Sequence, residues 1–295
     1  MIKSVFESIL ILGTGTLALN ITKMLFGLFG TDSRPKLLCA SYLESPFSLF
    51  STWCKTSKIP YINFKNKIAL SEYLSGFESS MLLISAHNYY IFPSNLLQKP
   101  FLKIINYHNS LLPNHRGLNA QMWSIFDQDS TSGITWHLVS SGIDCGDIII
   151  QKSIPLDSTY TYLKLTQEQL QLAFLAFREI CDSLLSWNLP LKTQEKIGDF
   201  VLHKARDLPN NGILDLHWDF EKKSAFLRSM DCGKSHLLPK PKIILEGKKY
   251  VILDYTPNPK NALGFDFTLG EKNEYLPSKL MLATLVYLLS EAFNV

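Results

Sequence analysis

The sequence predicts an α/β fold, with an open, mostly parallel sheet covered by helices on both faces and a smaller β-containing C-terminal domain. Two observations support this prediction. Short apolar runs alternate with segments of helical spacing through the first two thirds of the chain, as in βαβ units that build buried parallel sheets. The last third contains two strand-like runs around a Gly-containing turn, which is typical of a hairpin.

The predicted elements of the first part follow one another in regular order. The predicted strands cover residues 8–13, 36–42, 59–63, 80–86, 102–108, 133–140 and 146–154. The predicted helices cover residues 14–29, 46–57, 67–77, 93–98, 120–128 and 159–187. The last helix carries one apolar stripe, as a helix that packs on a sheet does. This order of elements predicts a Rossmann-like sheet.

Two domains are predicted, which suits a chain of 295 residues. Residues 1–190 form the first, residues 200–295 form the second, and residues 188–199 have the composition of a linker. The second domain is expected to contain a helix at about 219–231, the hairpin with its turn at Glu246–Lys248, and an apolar terminal helix. That terminal helix contains Leu280, Leu282, Leu285, Leu288 and Leu289.

The composition excludes several classes of protein. The hydrophobic content of 46% and charged content of 19% are those of ordinary globular proteins. A net charge of +3 does not require a nucleic-acid partner, although a tRNA end or an anionic small molecule is compatible with it. The five scattered cysteines indicate free thiols in a reducing compartment. No apolar run approaches the ~18 residues of a membrane span, so a cytoplasmic location without membrane contact is expected.

Polar residues alternate at the end of the predicted strand 102–108. Asn106, His108 and, in an extended chain, Ser110 lie on one face, because successive strand residues point to opposite faces. Open α/β sheets bind ligands at the carboxyl ends of their strands. A second polar segment, "SSGIDCGD" at 140–147, follows another predicted strand and can present Asp144 to His108.

An amide, an imidazole and a carboxylate together suit acyl transfer. The amide would stabilise an oxyanion, the imidazole would move protons or stabilise the same oxygen, and the carboxylate would hold the imidazole. No nucleophilic Ser or Cys is needed if an acceptor amine attacks directly. The alternatives are purely structural roles: His108 as a histidine that only satisfies hydrogen bonds, and Asp144 as a turn residue.

Two other kinds of site are less favoured by the sequence. The segment "GTGTLA" at 13–18 could be a dinucleotide-binding turn, but the following strand ends without an acidic residue, so a simple tight turn is expected. A metal site could in principle use a set of scattered side chains. Their spacing matches no metal-binding motif, and no metal is predicted. This set comprises His87, His108, His115, His137 and Asp144.

Four motifs give the sequence a family resemblance. They are "N-x-H-x-S-L-L-P" at 106–113, "RG" at 116–117, "GITWHL" at 133–138 and "GIDCGDIIIQ" at 142–151. In this order and spacing the chain resembles the 10-formyltetrahydrofolate-dependent formyltransferases over about residues 6–187. That family includes glycinamide ribonucleotide, methionyl-tRNA, nucleotide-sugar and peptide-synthetase-associated formyltransferases.

The resemblance implies catalytic roles for three residues. Asn106 would bind the formyl oxygen and the oxyanion of the tetrahedral intermediate. His108 would stabilise this intermediate and transfer protons. Asp144 would raise the pKa of His108 and help to take the amine proton through water. The implied enzyme is a one-carbon group transferase with 10-formyltetrahydrofolate as cosubstrate.

The resemblance also implies supporting and binding residues. Ser110 would brace the strand end, and His137 would support the site. Arg116 and Asn119 are candidates for contact with the acceptor. The folate would lie against two segments of the chain. These contain Tyr89, Tyr90, Ile91, Phe92, Val139, Ser140, Ser141, Gly142 and Ile143.

Three acceptors are compatible with the resemblance. The first choice is a small or carrier-linked amine or hydroxylamine, because "GILDLHW" and "AFLRSMDCG" resemble the C-terminal domain of formyltransferase modules in secondary-metabolite synthetases. The second is a nucleotide-linked amino sugar, suggested by "MWSIF" at 122–126. The third is methionyl-tRNA, disfavoured because "LRSMDCG" departs from the "RA-x-NP-x-PGA" pattern of the tRNA enzymes.

Two further classes stay open as alternatives. One is a hydrolase that releases formate from the same cosubstrate. Such relatives carry a regulatory domain before the catalytic one, whereas this sequence starts directly at its first predicted strand. The other is an inactive folate-binding domain, which the intact set of Asn106, His108 and Asp144 argues against.

Overall fold

The structure is a computed structural model, and it describes residues 4–30, 34–45, 47–194, 201–235 and 237–270. The chain divides into two compact units, each assembled from separate stretches of sequence. The first comprises Met1–Ala120, Ser132–Ile154 and Thr166–His203, and the second comprises Gln121–Thr131, Pro155–Leu165 and Lys204–Val295. The domain division near residue 200 stays a prediction. The expected terminal helix lies outside the described residues.

A seven-stranded sheet forms the centre of the fold. Its strands are β1 (Ser8–Gly13), β2 (Lys36–Tyr42), β3 (Tyr61–Phe64), β4 (Met81–Ala86), β5 (Leu102–His108), β6 (Thr131–Leu138) and β7 (Ile148–Pro155). They lie in the order β3-β2-β1-β4-β5-β6-β7. The first five strands pair in parallel, whereas β6 is antiparallel to β5. The predicted α/β class with a mostly parallel sheet is thereby confirmed.

Helices cover both faces of this sheet. In the first unit these are α1 (Gly15–Phe29), α2 (Leu49–Thr56), α3 (Lys67–Ser75), α4 (Ser94–Leu97) and most of α6 (Tyr162–Leu185). Helix α5 (Ala120–Phe126), apart from Ala120, and helix α7 (Phe220–Ser229) belong to the second unit. The central strand β1 shows why two layers are needed: Ile9 and Ile11 belong to one buried apolar cluster, and Leu10 and Leu12 to another. Among the described residues, no helix is long and apolar enough to cross a membrane.

The second unit contains a three-stranded antiparallel sheet. Its strands are β8 (Lys242–Leu245), β9 (Lys248–Pro257) and β10 (Phe265–Gly270), in the order β10-β9-β8. The predicted hairpin is β8–β9, and Glu246 and Gly247 both adopt positive φ at its turn, as the favoured hairpin turns require. Strand β10 was not predicted, because its alternation of three apolar with two polar residues is short.

The sheet register aligns polar residues on three neighbouring strands. Ser85 of β4 pairs with Asn106 of β5, and Asn106 pairs in turn with His137 of β6. We call these three residues the polar row. It lies at the carboxyl end of β5, which is where the sequence predicts the site.

Replacing Trp136 tests how β6 is held on the sheet. Its buried indole donates a hydrogen bond to the Ala173 carbonyl of α6 at 2.9 Å and packs against Tyr107 and Phe177. Trp136→Phe should therefore lower the free energy of unfolding by about 1–3 kcal/mol in urea denaturation. The half-buried Trp53 of α2 provides the control, since Trp53→Phe should cost less. Equal values for the two variants would contradict this account.

Candidate active site

The other two residues of the polar row, Ser85 and His137, fix the orientation of the Asn106 amide. Its oxygen accepts a hydrogen bond from the Ser85 hydroxyl at 2.5 Å, and its nitrogen lies 3.2 Å from Nε2 of His137. The Ser85 oxygen in turn accepts a hydrogen bond from the Asn88 amide. Nδ1 of His137 donates to the Leu138 carbonyl at 2.8 Å. In the neutral ring Nε2 therefore accepts from Asn106 and uses one of its two amide hydrogens, whereas in the cationic ring Nε2–H donates to Asp144.

His108 is buried between two hydrogen-bond acceptors. Its Nε2 donates to the His115 carbonyl at 2.9 Å, and its Nδ1 lies 3.4 Å from Oδ2 of Asp144. A carbonyl oxygen only accepts, so Nε2 carries a hydrogen, and a second proton on Nδ1 would complete an ion pair with Asp144. Burial lowers the pKa of His108 below its usual value, and the Asp144 charge opposes this effect. The carboxylate thus favours the cationic form of a histidine that burial would keep neutral.

Asp144 has partners at both carboxylate oxygens. Oδ2 accepts a hydrogen bond from the Gly117 N–H at 2.9 Å, and Oδ1 lies 3.5 Å from Nε2 of His137. Burial raises the pKa of Asp144, but His108, His137 and the Gly117 N–H together outweigh burial and lower this pKa to about 2. The carboxylate is therefore ionised at neutral pH although it is largely buried.

The Asp144 loop, residues 139–147, is closed at its base by backbone contacts. The Leu138 N–H donates to the Asp147 carbonyl at 2.9 Å. A Cβ on Gly146 would lie 1.7 Å from the Leu138 carbonyl oxygen, so a side chain at this position would force the loop away. Asp144 itself has φ 51°. Its backbone is in the left-handed region, which is held only where surrounding contacts fix it.

The two predicted folate-binding segments are exposed to different extents. Tyr90 and Phe92 are buried in the core, whereas Tyr89 and Ile91 are 60% and 71% exposed. Only the second pair can therefore offer whole side chains to a ligand. Val139 and Ser140 are half-buried, and Ser141, Gly142 and Ile143 are exposed. The Tyr90 N–H donates to Oδ1 of Asn88, which connects the first segment to the polar row.

The loop after β5 contains the other predicted residues. The Ser110 hydroxyl donates to the Asn114 carbonyl at 2.6 Å, so Ser110 braces the loop. Nη2 of Arg116 donates to Oε1 of Gln194 at 2.7 Å. Asn119 is half-buried with φ 58°. The roles of Arg116 and Asn119 toward an acceptor stay predictions.

Sequence reasoning missed four residues around the site. Ser85 had a signal, because it is the polar residue near the carboxyl end of an otherwise apolar strand. Asn88 follows it closely and directly precedes the segment 89–92 that is assigned to folate contact. Gln194 lies in the predicted linker and His203 follows it. Neither gave a signal, since their contacts depend on the tertiary fold.

The first strand–helix turn is satisfied by the chain itself. Oε1 of Glu44 accepts a hydrogen bond from the Gly15 N–H at 3.0 Å, and Oε2 accepts from the hydroxyls of Ser41 and Tyr61. A dinucleotide would place its pyrophosphate at this helix N-terminus. The carboxylate in that place supports the tight-turn interpretation of residues 13–18. Within the described residues, no three metal-ligating side chains are grouped to hold an ion.

Fold and site together define a class of enzyme. A preorganised amide, a histidine and an ionised carboxylate lie at the carboxyl end of a strand in a mostly parallel sheet. Such a set can stabilise an oxyanion and move protons without a nucleophile from the protein. This chemistry is that of transferases that pass an acyl-type group to an acceptor.

Comparison with known proteins shows similarity to formyltransferases. Residues 66–178 match the sequence model of the formyl transferase family. GDP-perosamine N-formyltransferase of Brucella melitensis is 28% identical over 183 residues, covering 61% of this chain and 67% of that protein. Methionyl-tRNA formyltransferase of Legionella pneumophila (strain Corby) is 29% identical over 146 residues, covering 48% of this chain and 45% of that protein. Residues 66–178 thus match a formyl transferase domain, and the enzyme is a formyltransferase.

Solved structures show the same fold. A 4-N formyltransferase from Francisella tularensis has a TM-score of 0.66 at 21% identity, covering 82% of this chain and 94% of that chain. An N-formyltransferase from Helicobacter canadensis, solved with folinic acid and dTDP-3-aminofucose, has a TM-score of 0.66 at 18% identity, covering 88% and 89%. The predicted formyltransferase resemblance is confirmed.

Gly117 offers a test of how Asp144 is held. Its φ is 94°, and a Cβ would lie 2.2 Å from the His203 carbonyl oxygen. Gly117→Ala should displace the N–H that binds Asp144, lowering unfolding free energy by about 1–3 kcal/mol and also lowering turnover. Denaturation and formyl-transfer assays measure both effects. Gly27→Ala in α1 is the control, because a Cβ at this position would meet nothing within 4 Å. Wild-type stability and turnover of Gly117→Ala would contradict the role of Gly117 in holding Asp144.

Proposed function

We propose that this formyltransferase moves a formyl group from 10-formyltetrahydrofolate to the amine of a nucleotide-linked sugar. The observation that carries the proposal is the buried His108–Asp144 pair beside the oriented Asn106 amide. These are the three residues that the family resemblance assigns to catalysis. For the cosubstrate, the proposal is supported by the structural neighbours solved with folinic acid and 5-N-formyl-THF.

The reaction follows from the chemistry of these groups. The acceptor nitrogen attacks the formyl carbon, and the carbonyl electron pair moves to the oxygen. The second N–H of Asn106 donates to this oxyanion, and a cationic His108 stabilises it after exchanging its His115 carbonyl partner for the oxyanion. Asp144 takes the amine proton through water. The same proton then passes to the cofactor nitrogen. The oxyanion electron pair re-forms the carbonyl, the bond between this nitrogen and the formyl carbon breaks, and the formamide and tetrahydrofolate leave.

The comparisons favour the second of the three expected acceptors. The relative from Brucella is named for a nucleotide-linked amino sugar, and this chain spans 67% of its length. The methionyl-tRNA enzyme from Legionella is matched over only 45% of its length. Several structures with the same fold are described as sugar N-formyltransferases. We therefore place the sugar amine ahead of the carrier-linked amine that the C-terminal motifs suggest.

Replacing His108 tests the chemical part of the proposal. His108→Ala removes both the proton carrier and the cation, so turnover should fall about 10²–10⁴-fold. Folate affinity, measured by calorimetry with 5-formyltetrahydrofolate, should change little. The exposed His217 of the second unit is the matched control, since His217→Ala should keep full turnover. An unchanged turnover number in His108→Ala would refute the mechanism.

A panel of acceptors tests the substrate class. The enzyme is incubated with 10-formyltetrahydrofolate and, separately, GDP- and dTDP-linked amino sugars, a carrier-linked hydroxylamine, or charged initiator tRNA. Tetrahydrofolate release and the product mass are followed. We expect formamide formation with an amino sugar at the highest kcat/KM. A higher kcat/KM with the tRNA or with the carrier-linked hydroxylamine would identify that compound, and not the sugar, as the acceptor. Release of formate without any acceptor would indicate a hydrolase.

A further inference from the structure

The chain is attached to the first unit at two places, in the predicted linker 188–199 and at His203 after it. Lys192 and Ile148 exchange two backbone hydrogen bonds of 2.7 and 2.9 Å. His203 binds the residues on either side of Gly117. Its N–H donates to the Arg116 carbonyl at 3.0 Å, and its carbonyl accepts from the Leu118 N–H at 2.9 Å. These contacts fall next to the two loops that supply the partners of His108 and Asp144.

Gln194 lies beside the first of these attachments, two residues after Lys192, and is only 8% exposed. Its Nε2 donates to two backbone carbonyls of the Asp144 loop, that of Asp144 at 2.9 Å and that of Gly146 at 2.7 Å. Its Oε1 accepts from Arg116. Both amide hydrogens and the oxygen are therefore used, and only one orientation of the amide satisfies all three contacts.

We propose, on the basis of the function proposed above, that Gln194 is a positioning residue for formyl transfer. It holds the backbone of the Asp144 loop so that the carboxylate faces His108. Asp144 has a left-handed backbone, and its carboxylate lies 3.4 Å from Nδ1 of His108 and 3.5 Å from Nε2 of His137. These contacts are already long, so a small movement of the loop would break them.

The same side chain also acts on the other loop of the site. Arg116, which Gln194 binds, stands between two backbone groups that serve the catalytic pair. The preceding residue, His115, accepts from Nε2 of His108, and the following residue, Gly117, donates to Asp144. Gln194 thus connects the backbone that carries the Asp144 carboxylate to the loop after β5, whose backbone groups bind His108 and Asp144.

Gln194→Glu is the sharpest variant for testing this role. It keeps the side-chain length and an oxygen for Arg116, but it places an oxygen opposite the two carbonyls where a donor is needed. We expect kcat to fall about 10- to 100-fold, as for small displacements of catalytic groups, while the affinity for 5-formyltetrahydrofolate stays near that of the wild type. Gln194→Met, which removes all three contacts without adding charge, should show the same loss.

A second measurement does not require activity. Asp144 raises the pKa of His108, so displacement of the carboxylate should lower that pKa further. NMR titration of the histidine resonances, assigned with His108→Ala, would show the shift to lower pH in both Gln194 variants. A role in stability alone would leave the titration unchanged.

Lys99→Met is the matched control. Nζ of Lys99 also donates to two backbone carbonyls, those of Ser75 and Phe77, but it lies before β5 and therefore at the amino edge of the sheet. It should lower the melting temperature while keeping kcat and the His108 titration. If the Gln194 variants behave in the same way, the positioning role is wrong. Absence of formyl transfer in the wild-type enzyme would instead refute the proposed function.

Discussion

The site depends on keeping the ionised Asp144 carboxylate largely out of water beside His108. A buried charge is costly unless it is paired and hydrogen-bonded. The chain meets this need with a backbone N–H from Gly117 and the rings of His108 and His137. These partners come from β5, β6 and the loop after β5, so the carboxylate is satisfied only when three separate parts of the sequence are in place.

The antiparallel direction of β6 determines how the chain brings the Asp144 carboxylate to His108. Strand β6 is antiparallel to β5, so it runs away from the carboxyl end of β5 and ends at Leu138, which pairs with Ile105. The next residue, Val139, donates its N–H to the Ile104 carbonyl. The following loop must therefore turn back before Asp144 can reach His108. Gly146 permits this return, since any side chain there would collide with the Leu138 carbonyl. The same strand direction brings His137 into the polar row.

Much of the fold follows from local patterns in the sequence. Strands β2 and β5 occupy the predicted residues, because apolar runs bounded by polar or Pro-containing segments leave little choice of boundary. The pairing of His108 with Asp144 follows from motif order and from the need of a carboxylate for a partner. The direction of β6 could not be predicted, because helix α5 precedes it, and a strand–helix–strand order is compatible with either direction.

Gln194 could not be predicted for a different physical reason. Its sequence neighbourhood is polar and carries no periodicity, and its role arises from three contacts with residues distant along the chain. An amide that satisfies two carbonyls and one guanidinium has no local signature. The segment that carries it has the composition of a linker, yet tertiary hydrogen bonds make it part of the first unit.

The loop after β5 carries both the backbone contacts with His108 and Asp144 and the two residues predicted to contact the acceptor. Its predicted acceptor contacts are side chains, those of Arg116 and Asn119, whereas its contacts with the catalytic pair use the His115 carbonyl and the Gly117 N–H. Backbone groups are the same in every residue, so side chains along this loop can change without removing these two contacts. Gly117 is an exception, because its φ and the nearby His203 carbonyl exclude a side chain. Arg116 is another, since it is bound to Gln194. Under the proposed function, a change of acceptor made at Arg116 would therefore also remove its contact with Gln194.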